Sequence, residues 1–293
     1  MINVSVGVCA YNEEKNIGNL LDRLLGIKSR KVNIKEIILV SDGSTDRTNE
    51  IISNFQRKSK KVKSIIRKKR YGKVNAINQI LKKAKSQIII LESADNFPKN
   101  GAFDKLVEPF KDKNAGITSG HIVPINKGNN FMTFLGKFMY KLHHEIALEN
   151  PKYGEMIAFR KVIKKIPNSA VDEESIAMII TNKGYRGIYC PDAIVYNKTP
   201  TNIRDFIKQR RRIYAGHLEL KTKYKFHVPT VSNSTIFFQI LKDKPYLIKH
   251  FLKIKLAILL ELYARFLGII DLFIRKKHHY RWDIAYSTKN PRN

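Results

Sequence analysis

The feature that most constrains the fold is the alternation of short apolar runs with amphipathic stretches in the first hundred residues. Four apolar runs are predicted to be strands, at residues 4–9, 36–40, 62–66 and 87–91. Between them, apolar side chains recur at helical spacing in residues 13–25, 45–55 and 73–84. Repeated strand–helix units of this length indicate an α/β fold with a mostly parallel sheet and helices on both faces.

The second half of the chain is less regular. Strands are predicted at residues 115–123, 153–159 and 185–189, and helices at residues 131–149, 173–182 and 203–220. After Pro229 the composition shifts to leucine, isoleucine and phenylalanine interrupted by charges. The pattern therefore divides the chain into a domain of residues 1–228 and a C-terminal amphipathic helical region of residues 229–293.

The C-terminal region allows two interpretations. Residues 236–274 contain no stretch of the roughly 20 uncharged apolar residues that a membrane-spanning helix needs. An interfacial helical hairpin on a membrane fits the composition, and so does a helical subdomain packed on the core. Trp282, the only tryptophan, is predicted either to lie at a membrane interface or to pack back on the domain. Residues 289–293 have the composition of a disordered tail.

The net charge of +30 points to an anionic partner. Nucleic acid, an acidic membrane surface and phosphorylated substrates all satisfy it. Cys9 and Cys190 lie in apolar runs and are predicted to be free thiols, which is typical of a reducing compartment. The first residues lead straight into a strand pattern without the features of a signal peptide, so a cytoplasmic location is expected.

Polar side chains follow each of the four predicted strands, in residues 10–13, 41–46, 68–73 and 93–96. In a parallel sheet these strand ends meet at one edge, where ligands bind. Glu13 and Asp42 can accept hydrogen bonds from a base or a ribose. Lys73, near the start of a helix, can face a phosphate. Asp95 can hold a divalent cation that bridges two phosphates.

Each of these segments also has a purely structural explanation when it is taken alone. Asn12 can cap a helix, and Asp42 can belong to a turn. Lys73 can be a solvated surface residue, and Asp95 can lie in a simple turn. The functional interpretation depends on the occurrence of all four segments in order, each after a strand.

The ordered segments resemble the inverting family 2 glycosyltransferases of GT-A fold. They are Tyr11-Asn12-Glu13, Asp-Gly-Ser-Thr-Asp at residues 42–46, Gly72-Lys73 and Ser93-Ala94-Asp95, within a resemblance that runs over residues 4–220. It implies a Rossmann-like GT-A domain whose residues 1–98 bind a nucleotide sugar and whose residues 99–228 carry the acceptor and catalytic half.

The resemblance also implies roles for single residues at the donor site. Matches to the family place the nucleoside on Tyr11, Asn12, Glu13 and Asp42, the phosphates near Lys73, and the metal and diphosphate on Asp95. The family's acidic motif is usually Asp-x-Asp, and here Ser93 replaces its first carboxylate. A divalent cation, Mg²⁺ or Mn²⁺, is then expected to be held mainly by Asp95 and the donor phosphates, with weak or partial metal dependence.

A cluster of acids at Asp172-Glu173-Glu174 is similar to the family's Glu-Asp motif, whose second residue is the general base. The resemblance makes Glu173 the candidate base and Asp172 its neighbour. A base activates the acceptor hydroxyl by removing its proton as the bond forms, and clustered carboxylates raise one another's pKa. The alternative is that acids at a helix N-terminus only complement the helix dipole.

The basic helix carries Gln209-Arg210-Arg211-Arg212-Ile213, which resembles the Gln-x-x-Arg-Trp motif of processive and membrane-bound members. Gln209 and Arg212, three residues apart, lie on one helix face. Arg212 can neutralise the leaving nucleoside diphosphate. Ile213 stands where the family has the tryptophan that stacks on an acceptor sugar, which puts polymerisation in question. A solvated basic face is the structural alternative.

The resemblance predicts an inverting hexosyltransferase that uses a nucleotide-diphosphate sugar, most commonly a UDP-sugar in this family. The expected acceptor is a lipid-linked or glycan hydroxyl at the cytoplasmic face of an anionic membrane. Two other classes stay open. A nucleic-acid-binding protein satisfies the charge, although acidic residues gather where the ligand would bind. A catalytically idle nucleotide-binding relative is kept open by Ser93 and Ile213.

Overall fold

The protein is described by a computed structural model that covers residues 1–282 and 285–289. Within these residues the strands are β1 (Ile2–Ala10), β2 (Val32–Asp42), β3 (Val62–Arg67), β4 (Ile88–Ser93), β5 (Phe97–Pro98), β6 (Ala115–Pro124), β7 (Met156–Arg160) and β8 (Arg186–Asn197). They form one eight-stranded sheet in the order β3-β2-β1-β4-β7-β6-β8-β5.

The α-helices surround this sheet and then continue beyond it. They are α1 (Ile17–Gly26), α2 (Thr48–Lys58), α3 (Lys73–Lys83), α4 (Ala102–Val107), α5 (Phe131–Glu149), α6 (Asp172–Thr181), α7 (Ile203–Tyr224), α8 (Asn233–Lys242), α9 (Lys244–Lys249) and α10 (Phe251–Ile269). A π-helical turn at Ile270–Ile274 extends α10, and short 3₁₀ turns lie at Glu108–Lys111, Pro229–Val231 and Tyr286–Thr288.

The predicted parallel half of the sheet is confirmed. β1 lies between β2 and β4 and is parallel to both, and β3 adds to β2 in the same direction. The alternation of Val4, Val6 and Val8 buries all three side chains completely. The carboxyl ends of these strands therefore meet at one edge, as the sequence predicts.

The second half of the sheet differs because β7 runs antiparallel to its neighbours β4 and β6. Its first residue, Met156, pairs with Glu92 near the carboxyl end of β4. β8 pairs parallel with β6 and continues to Asn197, well past the predicted end at residue 189. A register shift after Gly120 accommodates the longer strand. The antiparallel β7 thereby brings residues of the second half of the chain to the edge where the first strands end.

Helices cover both faces of the sheet, as predicted. On one face α1 and α4 pack on the sheet through side chains such as Leu20, Leu21 and Phe103. On the other face α3 and α6 pack through side chains such as Ile77 and Ile176. α1 begins at Ile17, four residues later than predicted, because residues 13–16 form a turn in which Ile17 N–H donates to the Glu13 carbonyl.

The helices after Pro229 pack on the domain rather than forming a simple hairpin. α10 lies along α7 and α5, where Ile254 and Ala257 join a cluster with Phe134 and Phe138. Across this interface Arg210 donates twice to Glu261, at 2.8 Å each. No helix of residues 1–282 and 285–289 is both long enough and apolar enough to pass through a membrane. If this region binds a membrane surface, as one of the two interpretations predicts, the binding must involve the outer face of these helices, which does not pack on the domain.

Candidate active site

A cleft of about 1230 Å³ opens at the edge where β1, β2 and β4 end. It is lined by eight of the predicted site residues: Tyr11, Glu13, Asp42, Lys73, Asp95, Glu173, Gln209 and Arg212. The other two, Asn12 and Asp172, are sequence neighbours of the lining residues Tyr11, Glu13 and Glu173. The structure thus brings residues as far apart in the chain as Tyr11 and Arg212 to one cleft.

Asn12 holds two of the strand-end loops together. Its backbone has φ of 53°, an uncommon conformation for a residue other than glycine. Its side-chain oxygen accepts a hydrogen bond from the Thr45 N–H at 2.8 Å, and its own N–H donates to the Ser44 hydroxyl at 3.1 Å. The predicted alternative, a helix cap, is not found, because the residue at the start of α1 is Asn16.

Asp42 fixes the loop that precedes α3. Its carboxylate accepts the backbone N–H groups of Tyr71 at 3.0 Å and Gly72 at 2.6 Å. It also pairs with Arg67 at 2.9 Å. Gly72 has φ of 98°, which a side chain would strain. Asp42 therefore sets the position of the loop that ends at Lys73 before any ligand is bound.

Lys73 joins the two halves of the cleft. Its ammonium lies 2.6 Å from Glu173 Oε1 and 2.9 Å from Asp172 Oδ2. Burial opposes the charge of Lys73, but Asp172 and Glu173 outweigh it and raise the pKa of Lys73 well above its usual value. The resemblance predicts that this side chain lies near the donor phosphates; in the structure it lines the cleft and is paired with the candidate base.

The two acids respond differently to this ammonium. Burial and the adjacent Glu173 charge raise the pKa of Asp172 to about 6. Burial acts in the same direction on Glu173, but Lys73 outweighs it and holds the pKa of Glu173 below its usual value. Glu173 is thus ionised at neutral pH and lines the cleft, which are the two properties that a general base needs.

Arg212 and Gln209 reach the same cleft from α7, one turn apart. Arg212 Nη1 donates to the Ala170 carbonyl at 2.7 Å. Burial lowers the pKa of Arg212 to about 10, so it keeps its charge at neutral pH. Its guanidinium lies 3.6 Å from the centre of the Trp282 ring, and Lys73 Nζ lies 4.7 Å from that centre. Trp282 therefore packs back on the domain, which was one of its two predicted positions.

A C-terminal strap, residues 280–282 and 285–289, crosses the cleft. Tyr280 donates to Glu219 at 2.7 Å, and the Ser287 N–H donates to Asp205 at 3.0 Å. At its end the Lys289 ammonium pairs with Glu13 and lies 3.7 Å from Asp95 Oδ2. Lys289 was predicted to belong to a disordered tail and is instead placed in the site; residues 290–293 of that tail lie outside the described residues.

Glu155, Trp282 and Lys289 are among the cleft residues that were not assigned to the site from the sequence. Trp282 was notable only as the single tryptophan, and Lys289 does not follow a predicted strand. Glu155 immediately precedes β7, and its carboxylate accepts a hydrogen bond from Asn96, which follows Asp95 in the chain. No pattern local to the sequence indicates that contact.

Oxygen ligands for a divalent cation are present but few. Among residues 1–282 and 285–289 no group of three or more histidine, cysteine, aspartate or glutamate side chains is arranged to hold a metal ion. Asp95 faces the cleft, and burial raises its pKa. Proteins usually bind Mg²⁺ through one or two carboxylates, and substrate phosphates complete the coordination. The Asp95 carboxylate in the cleft fits that kind of site.

We predict that Lys73→Met destabilises the protein in a pH-dependent way. Without the ammonium, the folded-state pKa of Asp172 rises further and that of Glu173 rises above its unfolded value. The loss of stability is therefore full above the folded-state pKa values and shrinks as the pH falls through them. The free energy of unfolding, measured in urea, should fall by about 3–5 kcal/mol at pH 8 and by less at pH 5. Lys82→Met, exposed on the same helix, is the control. An equal loss of unfolding free energy at pH 8 and pH 5 would contradict the ion pairing of Lys73 with Asp172 and Glu173.

Comparisons with known proteins agree with this geometry. Probable glycosyltransferase YdaM of Bacillus subtilis is 25% identical over 256 residues, covering 81% of this chain and 60% of the relative. Poly-beta-1,6-N-acetyl-D-glucosamine synthase of Staphylococcus aureus is 27% identical over 230 residues, covering 73% of this chain and 54% of the relative. The chain thus spans little more than half the length of these curated relatives.

Solved structures show the same fold. The mannosyltransferase PcManGT of Pyrobaculum calidifontis, in complex with GDP-Man and Mn²⁺, superposes with a TM-score of 0.67 at 19% identity, covering 92% of this chain and 87% of that one. Glucosyl-3-phosphoglycerate synthase of Mycobacterium tuberculosis, with Mn²⁺ and UDP, gives 0.51 at 15% identity, covering 73% and 78%. The model of the family described as "Glycosyl transferase family 2" matches residues 5–172. This match extends over more than half of the chain, which therefore belongs to glycosyl transferase family 2.

Proposed function

We propose that this glycosyltransferase moves a hexose from a nucleotide-diphosphate sugar to an acceptor hydroxyl with inversion at the anomeric carbon. The observation that carries the proposal is the Lys73–Asp172–Glu173 group, which faces a cleft that also holds Asp95 and Arg212. A single displacement needs one base and a way to stabilise the leaving diphosphate. The cleft offers both in one cavity.

Glu173 acts as the base in this proposal. Its carboxylate is ionised, 14% exposed and held by Lys73, so it is oriented without being cut off from a substrate. Asp172 is fully buried, and its Oδ2 lies 2.9 Å from the same ammonium. Asp172 and Lys73 are thus positioning residues, which fix the side chain that takes the acceptor proton.

Cationic groups serve the leaving diphosphate. Arg212 is charged, half-buried and within the cleft, and guanidinium groups bind phosphate through paired hydrogen bonds. Asp95 would hold a divalent cation, Mg²⁺ or Mn²⁺, which when bound neutralises charge on the two phosphates. Gln209, on the same face of α7 as Arg212, is placed to donate to the same phosphates.

The strand-end loops form the nucleoside side of the cleft. Tyr11 packs under the Arg70 guanidinium, 3.9 Å from its ring centre, and Glu13 and Asp42 line the wall beside it. Asn12 ties these loops together. We propose that the four residues hold the nucleoside and that the donor is a UDP-sugar. GDP-Man and UDP bound with Mn²⁺ in the two structural neighbours support a nucleotide-diphosphate donor.

An apolar extension of the cleft supports a lipid-linked acceptor. Beyond Arg212 the cavity continues between α5, α7, α8 and α10. Its walls there are apolar, formed by side chains such as Met132, Phe138, Ile207, Ile240 and Ile258. A glycan alone would not need such walls, whereas a lipid chain attached to the acceptor would bury apolar surface in them.

The outer face of the C-terminal helices supports binding to an anionic membrane at the cytoplasmic face. Large apolar side chains are exposed along α8 and α10, including Phe237, Phe238, Phe251, Leu252, Leu259 and Phe266. Exposed lysines lie among them, including Lys242, Lys244, Lys249, Lys253 and Lys255. A helix that lies in a membrane interface combines an apolar face with basic residues in this way.

We predict that Glu173→Gln abolishes most transfer without preventing donor binding. The release of nucleoside diphosphate from a panel of nucleotide sugars should fall by about 10²–10⁴-fold in kcat, because the base is lost. The dissociation constant of the nucleoside diphosphate should stay within a few-fold of the wild-type value.

Glu174→Gln is the matched control for this variant. The Glu174 carboxylate accepts the Tyr153 N–H at 3.1 Å, and the side-chain oxygen of glutamine can accept the same hydrogen bond. This control should keep turnover within a few-fold. Wild-type turnover in Glu173→Gln would remove Glu173 from the role of base.

We predict that Leu252→Glu weakens sedimentation with vesicles of phosphatidylglycerol and phosphatidylcholine by about tenfold or more. Burial of one leucine is worth roughly 1.5–3 kcal/mol, and about 1.4 kcal/mol is tenfold. Ile66→Glu adds the same charge at an exposed residue of β3 and should retain binding. Equal losses in both variants, or no vesicle binding by the wild type, would refute the membrane proposal.

A further inference from the structure

The C-terminal strap lies inside the cleft where the donor is proposed to bind. At its end the Lys289 ammonium forms an ion pair with Glu13 and lies 3.7 Å from Asp95 Oδ2. The backbone is held there as well, because the Asn16 side-chain N–H donates to the Lys289 carbonyl at 3.2 Å. A positive charge of the protein itself thus engages two carboxylates that we assign to the nucleoside and to the divalent cation.

The indole of Trp282 packs against Arg212, which we assign to the leaving diphosphate, and against Lys73. The ring centre lies 3.6 Å from the Arg212 guanidinium and 4.7 Å from Lys73 Nζ. The attraction between a cation and the face of an aromatic ring favours both contacts. A ring packed against both cations reduces the space in which a phosphate group can reach them. The strap therefore occupies part of the space that the donor diphosphate needs.

Contacts away from these carboxylates also hold the strap in place. Tyr280 donates to Glu219 of α7 at 2.7 Å, and the Ser287 N–H donates to Asp205 in the first turn of α7 at 3.0 Å. The strap also passes close to Gly72, where a Cβ atom would lie only 2.8 Å from the Tyr280 carbonyl oxygen. The position of the strap is thus fixed on both sides of the cleft and does not depend on the Lys289 ion pair alone.

The contacts of the strap are of a kind that a ligand can replace. Trp282 Nε1 is buried and has no hydrogen-bond partner among residues 1–282 and 285–289, and a buried N–H without an acceptor costs free energy. The Lys289 side chain is 25% exposed, and ion pairs that solvent reaches contribute little stability. A divalent cation carries twice the charge of an ammonium, so at Asp95 it has the advantage over Lys289.

We propose that the strap is an autoinhibitory segment: Lys289 takes the place of the divalent cation at Asp95, and the nucleotide with its cation binds only after the strap is displaced. The inference rests on the proposed function, because it concerns access to the same donor site. An ammonium near Asp95 repels an incoming Mg²⁺ or Mn²⁺. The apparent dissociation constant of the donor is then the intrinsic one divided by the fraction of molecules whose strap is open.

A strap that forms part of the donor site makes the opposite prediction. Lys289 would then contact the donor phosphates, as lysine side chains often do, and its loss would weaken nucleotide binding. Trp282 would become less accessible to solvent when the nucleotide binds. An autoinhibitory strap is displaced instead, so the loss of Lys289 strengthens nucleotide binding and the bound nucleotide makes Trp282 more accessible.

The first measurement is calorimetric titration of the full chain with a panel of nucleoside diphosphates that includes UDP and GDP, each with Mg²⁺. Lys289→Gln should lower the dissociation constant of the nucleotide that binds by about two- to fivefold, because an ion pair that closes the strap is lost. Tyr280→Phe removes the hydrogen bond to Glu219 and should act in the same direction. Lys60→Gln, exposed between α2 and β3, removes the same charge elsewhere and should leave the dissociation constant unchanged.

The second measurement uses the fluorescence of Trp282, which reports the strap directly because it is the only tryptophan in the chain. Mg²⁺ is the cation for this measurement, since Mn²⁺ itself quenches fluorescence. Saturation with the nucleotide and Mg²⁺ should shift the emission of Trp282 to longer wavelength and increase its quenching by acrylamide. Both changes follow if the indole leaves Arg212 and Lys73 for solvent.

Two results would overturn the inference and leave the proposed function intact. One is unchanged or weaker nucleotide binding in Lys289→Gln. The other is nucleotide binding by the wild type without greater exposure of Trp282. If neither the wild type nor Lys289→Gln binds any nucleoside diphosphate of the panel, the proposed function fails and the inference fails with it.

Discussion

The ion pair of Lys73 with Asp172 and Glu173 is the interaction on which the site depends. It joins the start of α3, in the first half of the chain, to the start of α6, in the second half. Asp42 fixes the loop that leads to Lys73. The ammonium of Lys73 balances the negative charges of Asp172 and Glu173, which are costly to bury without a cation. One cation thereby keeps the candidate base ionised, oriented and next to the donor side of the cleft.

The sheet explains how residues from both halves of the chain reach one cleft. Parallel β1, β2 and β4 bring the first strand-end loops to one edge, and antiparallel β7 returns the second half of the chain to that same edge. α7 contributes Gln209 and Arg212 to the cleft. α10 packs along α7 and is joined to it by the Arg210–Glu261 ion pair. The amphipathic C-terminal helices are thus both a support for the site and, in our proposal, its contact with the membrane.

Much of this could be predicted from the sequence because strand and helix periodicity and the order of strand-end motifs are local. The parallel sheet, the ranges of α5 and α6, and the cleft residues from Tyr11 to Arg212 follow from them. What could not be predicted depends on distant pairing. The hydrogen bond that links Glu155 to Asn96, the salt bridge of Lys73 with Glu173, and the strap that brings Trp282 and Lys289 into the cleft leave no local pattern.

The most direct test of the central claim is thermal unfolding with nucleoside diphosphates, each with and without Mn²⁺. A ligand of the folded state at 100 times its dissociation constant adds about 2.7 kcal/mol of stability, so a true donor base is visible as a raised melting temperature. We predict that one nucleoside diphosphate with Mn²⁺ gives a larger rise than either component alone. No rise with any nucleoside diphosphate, together with steeply salt-dependent stabilisation by RNA or DNA, would contradict the account.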